Sequence, residues 1–505
     1  MYAYMDFGSG ERSCSMRRLP RYLHRLILPA LLFFPLAAGG ETGDTIQTKV
    51  AQCLKKPGIG STDWGIEVVD PSTGQVLLSV NPEKPFLPAS VLKVVTTAAA
   101  VEKLGADFRF RTTVYTNGTL KDDGVLDGDL ILFGRGDPNL ADPEGGLLAQ
   151  PALEELADQL AAAGIKKVTG DVIGDDSYFD SSTHGQGWTG RDLKSPYGAP
   201  ICALSIHNNV LWVHVRATKA GQLARVSLEP PGTYFSVRNL ATTGSARSRS
   251  TVYARIIPGT KKLVVSGSVP AGQSSSRYVI VERPAEWTAA LLREELRRRR
   301  ITVAGDVRAV HRGEVSADER AQWTVLAEHR SPPLARALEI INKRSENLHA
   351  EMLLRVMGAE LHGIGSDEAG LQAVREFLAE AGLDDGKVSI RDGSGLSREN
   401  LLTPKFQTDL LLFISRRPYF ELFINTLAVS GVDGTLKNRL ASSDVRGAIY
   451  AKTGTLQGVA TLSGYMVTRS GRNLVFSIFA NNARASLARV RRTIDEICAL
   501  LARLY

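Results

Sequence analysis

Pro88-Ala89-Ser90-Val91-Leu92-Lys93 opens a run of apolar and helix-favouring residues that reaches Leu104. A proline in the first turn followed by this run predicts a helix. Ser90 and Lys93 stand at i and i+3 at its start, so their side chains share one face. A serine hydroxyl is a weak nucleophile until a neighbour takes its proton. Lys93 can do so if desolvation or a second cation lowers its pKa. The helix start also offers N–H groups and partial positive charge to a developing oxyanion. Alone the pair decides little, because about one Ser-x-x-Lys is expected by chance in a chain this long.

Two later stretches supply the rest of an acyl-transfer site. Ser345-Glu346-Asn347 precedes a predicted helix. Ser345 can relay a proton toward a leaving amine, and Asn347 can donate to or accept from a substrate backbone. The plainer reading is a helix cap, although Ser345-x-x-Leu348 does not complete a capping box. Gly447-Ala-Ile-Tyr-Ala-Lys452-Thr453-Gly454-Thr455 reads as an edge strand. Gly454 is expected to leave room for an extended substrate beside the strand. Lys452 and the Thr453 hydroxyl can hold a terminal carboxylate; the plainer reading of Lys452 is a solvated edge lysine.

Ser90 and Ser345 lie 255 positions apart, too far for a minimal domain. From about 111 to 325 the chain is rich in Gly, Val, Asp and Ser, with short strand-like runs such as Asp129–Phe133 and Val210–Val215. Gly-Asp pairs recur there, at Gly128, Gly136, Gly170, Gly174 and Gly305, and predict turns. Thr242–Ser250 reads as a polar loop. A helix over Ala285–Arg300 buries Trp287, Leu291, Leu292 and Leu296. Outside this region the pattern predicts a hairpin over 64–80, helices near 332–342, 347–362 and 366–382, and strands over 460–468 and 473–480. A last helix carries Leu487, Val490, Ile494, Ile497, Leu501 and Leu504 on one stripe, expected to pack on the adjacent sheet.

The 505 residues are 43% hydrophobic and 23% charged, an ordinary folded composition for two to four domains. Arg17, Arg18, Arg21 and Arg25, apolar Leu26–Ala38 and small Ala37-Ala38-Gly39-Gly40 read as a secretory signal over 1–40, starting at either Met1 or Met16. The stretch is short and broken by Pro29 and Pro35, unlike a membrane span. Removing it leaves a charge of about +5, too mild to suggest nucleic acid. Cys53, Cys202 and Cys498 remain, enough for one bridge but not for a disulfide framework. No CxxC, HExxH or EF-hand loop is present, so neither a metal nor a cofactor is expected.

Taken together the three motifs are those of penicillin-binding proteins and class A β-lactamases. The chain resembles the D-alanyl-D-alanine carboxypeptidase/endopeptidase family, peptidase S13, of the penicillin-binding protein 4 type. Gly128-Asp-Leu…Gly134-Arg-Gly-Asp-Pro-Asn139, Ala199-Pro200…Ala203-Leu-Ser205…Asn209, Asp392-Gly-Ser-Gly-Leu-Ser397 and Ser430-Gly-Val-Asp-Gly-Thr435 also fit it. One departure is Glu346, where the family usually has Asp. The resemblance implies an α/β, multi-domain fold: a split β-lactamase/transpeptidase-like catalytic domain, with an antiparallel sheet flanked by helices, and inserted β-rich domains. The catalytic domain is expected at 41–110 and 326–505, one insert at 111–218 and 276–325, and a second at 219–275. It further implies that Ser90 attacks the penultimate D-Ala carbonyl and Lys93 takes its proton. The N–H groups of Ser90 and Thr455 form the oxyanion hole, and Ser345, with Lys452, protonates the leaving D-Ala. The implied ligands are peptidoglycan muropeptides and β-lactams, with no nucleic acid and at most peripheral membrane contact, in the periplasm. Two other readings share the equipment: a β-lactamase or transpeptidase, and a catalytically silent wall-binding scaffold.

Overall fold

A computed structural model describes residues 45–141, 150–384, 386–442 and 445–505. The expected signal at 1–40 lies outside them. The catalytic sheet has six antiparallel strands, in the order Val76–Val80, Asp63–Val69, Asn473–Asn481, Val459–Val467, Ile449–Leu456 and Ala428–Val429. The expected hairpin and both strands after Lys452 are therefore present. Asp63–Val69 pairs residue for residue with Asn473–Asn481, and this ladder joins the two halves of the split domain.

Alternation along Asn473–Asn481 serves two cores. Leu474, Phe476, Ile478 and Ala480 face a cluster with helices Ile46–Leu54 and Leu487–Leu504. Val475 and Phe479 face a second cluster, built with helices Lys93–Leu104, Asn347–His362, Asp367–Glu380 and Pro404–Ser415. Of the expected stripe on the last helix, Val490, Ile494, Ile497 and Leu501 are buried. Leu487 is half-buried, and Leu504 is 43% exposed at the frayed end. Among the described residues no helix is long and apolar enough to cross a membrane.

The inserted region is β-rich as expected. A five-stranded sheet orders Val307–Val310, Val172–Asp175, Leu130–Gly134, Arg111–Thr116 and Thr324–Arg330. Helix Pro284–Arg298 buries Trp287, Leu291, Leu292 and Leu296. Three of the Gly-Asp pairs are more than turns. The Asp129 carboxylate accepts from Asp171 N at 2.7 Å, and the Asp171 carboxylate accepts from Asp306 N at 2.8 Å. These bonds stitch together the entries of three neighbouring parallel strands. A Cβ on Gly170 or Gly305 would stand 2.3 or 2.4 Å from the acidic oxygen of the preceding step, so only glycine fits. Gly174-Asp175, by contrast, lies inside a strand.

Strand pairing redraws the expected limits. The boundary at 218/219 separates Val210–Arg216 from its antiparallel neighbour Arg225–Glu229, and the one at 325/326 cuts through Thr324–Arg330, which pairs with Arg111–Thr116. Residues 210–280 instead hold three small sheets of their own, while one apolar cluster runs beneath the whole insert. Thr242–Gly244, expected as loop, is a short strand parallel to Ser268–Pro270. Cys53, Cys202 and Cys498 are buried free thiols, so no bridge forms among them.

Ile494→Ala should cost about 2–5 kcal/mol in denaturant unfolding, because it opens a cavity between the last helix and the sheet. Leu504→Ser should change stability by less than about 0.5 kcal/mol.

Candidate active site

Pro88 leads into a short 3-10 turn, Ala89–Leu92, that runs directly into the helix Lys93–Leu104. Ala89 takes a left-handed backbone, φ +48°, a strained conformation for a residue with a Cβ. It persists because its surroundings fix it. Thr461 Oγ1 donates to the Pro88 carbonyl at 2.9 Å, and Leu87 N donates to Asn481 Oδ1 at 2.8 Å. The tight turn leaves Ser90 partly exposed and drives Lys93 fully into the interior.

The Lys93 ammonium has three protons and three acceptors: Ser90 Oγ at 2.9 Å, Asn347 Oδ1 at 2.7 Å and the Ser394 carbonyl at 2.6 Å. Burial disfavours its charge and lowers its pKa to about 8, against the opposing pull of the Asp392, Glu351 and Glu346 carboxylates. The loop that supplies the Ser394 carbonyl is itself held by buried acids. Glu351 accepts from Gly393 N and Ser394 N at 2.9 and 2.8 Å. Asp392 accepts from Gly395 N, Ser397 N, Asn400 Nδ2 and Trp188 Nε1. Burial and the neighbouring Asp392 push the Glu351 carboxyl up to about 8.

Ser345 also has a left-handed backbone, φ +64°, between the helical turn Ile340–Arg344 and the helix Asn347–His362. Glu346, not Ser345, stands at the cap position, so the capping reading of Ser345 does not apply. Its hydroxyl accepts from Lys452 Nζ at 2.8 Å, and Lys452 also donates to the Thr453 carbonyl at 3.0 Å. Lys452 is wholly buried rather than solvated, and burial together with nearby Lys93 holds its pKa well below the usual lysine range. Its strand has a partner on the outer side only at Tyr450 and Ala451. From Lys452 onward that edge is open among the described residues, where an extended peptide can add as a strand.

The structure thus brings Ser90, Lys93, Ser345, Asn347, Lys452 and Thr453 into one site. Asn347 is engaged at both ends: its Oδ1 accepts from Lys93, and one Nδ2 proton goes to the Tyr197 carbonyl at 3.1 Å. One expectation changes. Gly454 does not make room for substrate: a Cβ there would lie 2.1 Å from Thr461 Oγ1 and 2.8 Å from the Pro88 carbonyl. It makes room for the nucleophile turn. Thr455 Oγ1 accepts from Arg491 Nη2 at 3.2 Å. Sequence reasoning gave no role to Glu351, Asp392, Ser394 or Thr435, whose hydroxyl accepts from Thr453 Oγ1 at 2.8 Å. Asp392–Ser397 and Ser430–Thr435 stood out only as stretches typical of a family. His349 is buried, bonds Asn208 Oδ1 at 2.9 Å, and is held neutral by desolvation, with a pKa of about 3.

A model of the D-Ala-D-Ala carboxypeptidase 3 (S13) family matches residues 46–504. The chain belongs to that family. As an S13 hydrolase it is 36% identical over 486 residues to a D-alanyl-D-alanine carboxypeptidase of Actinomadura sp. (strain R39), covering 94% of this chain and 87% of that one. Among solved structures it is similar to penicillin binding protein 4 (dacB) from Haemophilus influenzae, at TM-score 0.76 and 27% identity over 90% of this chain and 99% of that one. The same protein complexed with a β-lactam matches at TM-score 0.71 and 25% identity over the same shares. The S13 enzyme therefore has the split penicillin-binding fold that its motif spacing implied.

Gly454→Ala should depress Ser90 acylation by labelled penicillin at least about tenfold while Lys452 stays in place, because the added carbon displaces the nucleophile turn. Acylation should rise with pH through a midpoint near 8, where Lys93 loses its proton. Glu346→Gln removes a carboxylate that favours the Lys93 charge, so stopped-flow acylation should show this midpoint moving to lower pH.

Proposed function

We propose that this S13 enzyme hydrolyses the terminal D-Ala-D-Ala bond of peptidoglycan stem peptides, and the equivalent D-Ala-ended cross-links, through an acyl-enzyme on Ser90. The observation that carries this reading is the wholly buried Lys93, 2.9 Å from the Ser90 hydroxyl with its pKa lowered to about 8. A neutral amine at that distance can take the hydroxyl proton as Ser90 Oγ adds to the penultimate D-Ala carbonyl. The N–H groups of Ser90 and Thr455 receive the oxyanion. The C–N bond then breaks as Ser345 gives its proton to the departing D-Ala amine and is reprotonated from the Lys93 ammonium by way of Lys452, which leaves Lys93 neutral again. Water adds to the ester as Lys93 takes its proton, and that proton returns to Ser90 Oγ as the ester C–O bond breaks and the carboxyl product leaves.

Lys452 and Thr453 on the open strand edge suit the terminal carboxylate of the substrate. β-Lactams present the same carboxylate and a strained amide, and acylate Ser90 without a departing group. This accords with the β-lactam complex of the Haemophilus influenzae relative. The basic and apolar N-terminal stretch supports export, and a peptidoglycan substrate supports a periplasmic location for the mature enzyme. A silent scaffold would have no reason to keep two buried lysines beside two hydroxyls, given the desolvation cost of several kcal/mol per ion.

Ser90→Ala should abolish labelling by fluorescent penicillin and release of D-Ala from a D-Ala-D-Ala pentapeptide. Lys93→Ala should slow both by about 10²–10⁴-fold with circular dichroism unchanged. Retention of D-Ala release by either variant would sink the mechanism, and absence of release by the wild-type chain would sink the function.

A further inference from the structure

Residues 210–280 hold ten Lys or Arg and a single acid, Glu229. That net +9 exceeds the +8 of the whole 505-residue chain, so the rest of the molecule is almost neutral. The one acid is already engaged, with His214 Nε2 2.5 Å from Glu229 Oε2. Lys261 pairs with Glu286, and Arg277 bonds the Val252 carbonyl. The other eight cations are exposed and form no ion pair among the described residues.

Their placement is costly for folding alone. Arg216 and Arg225 stand directly opposite each other across an antiparallel pair, where like charges destabilise. On the neighbouring sheet Arg238 and Arg255 flank Val264 in register, and Lys262 lies two residues along the same face. Between these cations the surface offers aromatic rings and hydroxyls. Trp212 and Tyr278 meet edge to face at 6.0 Å across from Glu229, Ser227 and Ser276 flank His214, and Tyr253 is 57% exposed. Cations, ring faces and hydroxyls together are what a sugar polymer with negative substituents requires.

We propose that the module 210–280 docks the anionic glycan–peptide polymer of the cell wall, whose stem-peptide carboxylates meet its unpaired arginines. The identity of the polymer rests on the proposed function; the module would hold the enzyme on the material that bears its substrate peptides. An anionic lipid surface is the alternative occupant, which the comparison with vesicles separates from the wall polymer.

The test is co-sedimentation of the Ser90→Ala chain with purified peptidoglycan sacculi at low and physiological salt. Binding should weaken with salt and fall at least about tenfold in the R216Q/R225Q/R238Q/R255Q variant, and equally on sacculi whose carboxylates have been amidated. With Ser90 restored, that variant should be acylated by labelled penicillin at the unaltered rate and melt no lower, since the opposed arginine pair is gone. If it folds poorly, R225Q alone carries the same comparison. Full retention of sacculus binding by the charge variants overturns the proposal, as does capture by phosphatidylglycerol vesicles in preference to sacculi. Failure of the wild-type Ser90 chain to acylate would count against the enzymatic reading instead, so the two outcomes are separable.

Discussion

Everything at the centre of this enzyme is arranged around one buried ammonium. Lys93 has no exposed surface, and each of its three protons has an acceptor supplied by a different part of the chain: the nucleophile turn, the helix after the second motif, and the 392–397 loop. A charge so placed must be fully hydrogen-bonded or must give up its proton. The same three bonds therefore fix the relative positions of three segments and set the base close to its working protonation state. Stability and reactivity are two readings of one desolvation cost.

The second constraint is space around the nucleophile. The turn 88–92 is wedged between the Lys452 strand on one side and the 392–397 loop on the other. Gly454 and Gly395 are the points of contact: a Cβ on Gly395 would sit 1.9 Å from the Ala89 carbonyl, and one on Gly454 would strike Thr461 and Pro88. The left-handed Ala89 fits between them. Backbone strain at that residue is held by packing on both flanks, so Ser90 is presented at the turn without freedom to retreat.

These two constraints explain what the sequence could and could not reveal. Ser90, Lys93, Ser345 and Lys452 were legible because local spacing places their chemistry on a helix start, a pre-helix bend and a strand edge. Glu351, Asp392 and Thr435 were not, because their role comes entirely from long-range contacts, 42 residues apart in the case of Glu351 and Gly393. Gly454 was legible as a necessary glycine, but what a Cβ there would strike, Thr461 Oγ1 on the paired strand and the distant Pro88 carbonyl, comes only from the fold. The helix Pro404–Ser415 was legible but unread: Thr403 caps it, Pro404 opens it, and Phe406, Leu410, Leu411 and Ile414 bury one face at helical spacing. The repeated Gly-Asp pairs were visible as punctuation, and only strand order shows that three of them bond to one another.

The insert is more than a spacer between the motifs, because it returns to the site and completes it. Tyr197 offers its carbonyl to Asn347, Trp188 donates to Asp392, and Asn208 donates to Glu346 at 3.2 Å while accepting from His349. Asn208 itself sits at a left-handed backbone position, φ +54°, a conformation asparagine tolerates. The departure at Glu346 is legible in these terms: its side chain is one methylene longer than Asp, and its carboxylate reaches an amide that belongs to the insert. The base, its positioning amide and the carboxylates around it are thus set partly by residues 188–208, which lie between the first and second motifs in sequence. A catalytic domain cut free of its insert would keep all three motifs and lose the groups that hold Asn347 and Asp392 in place.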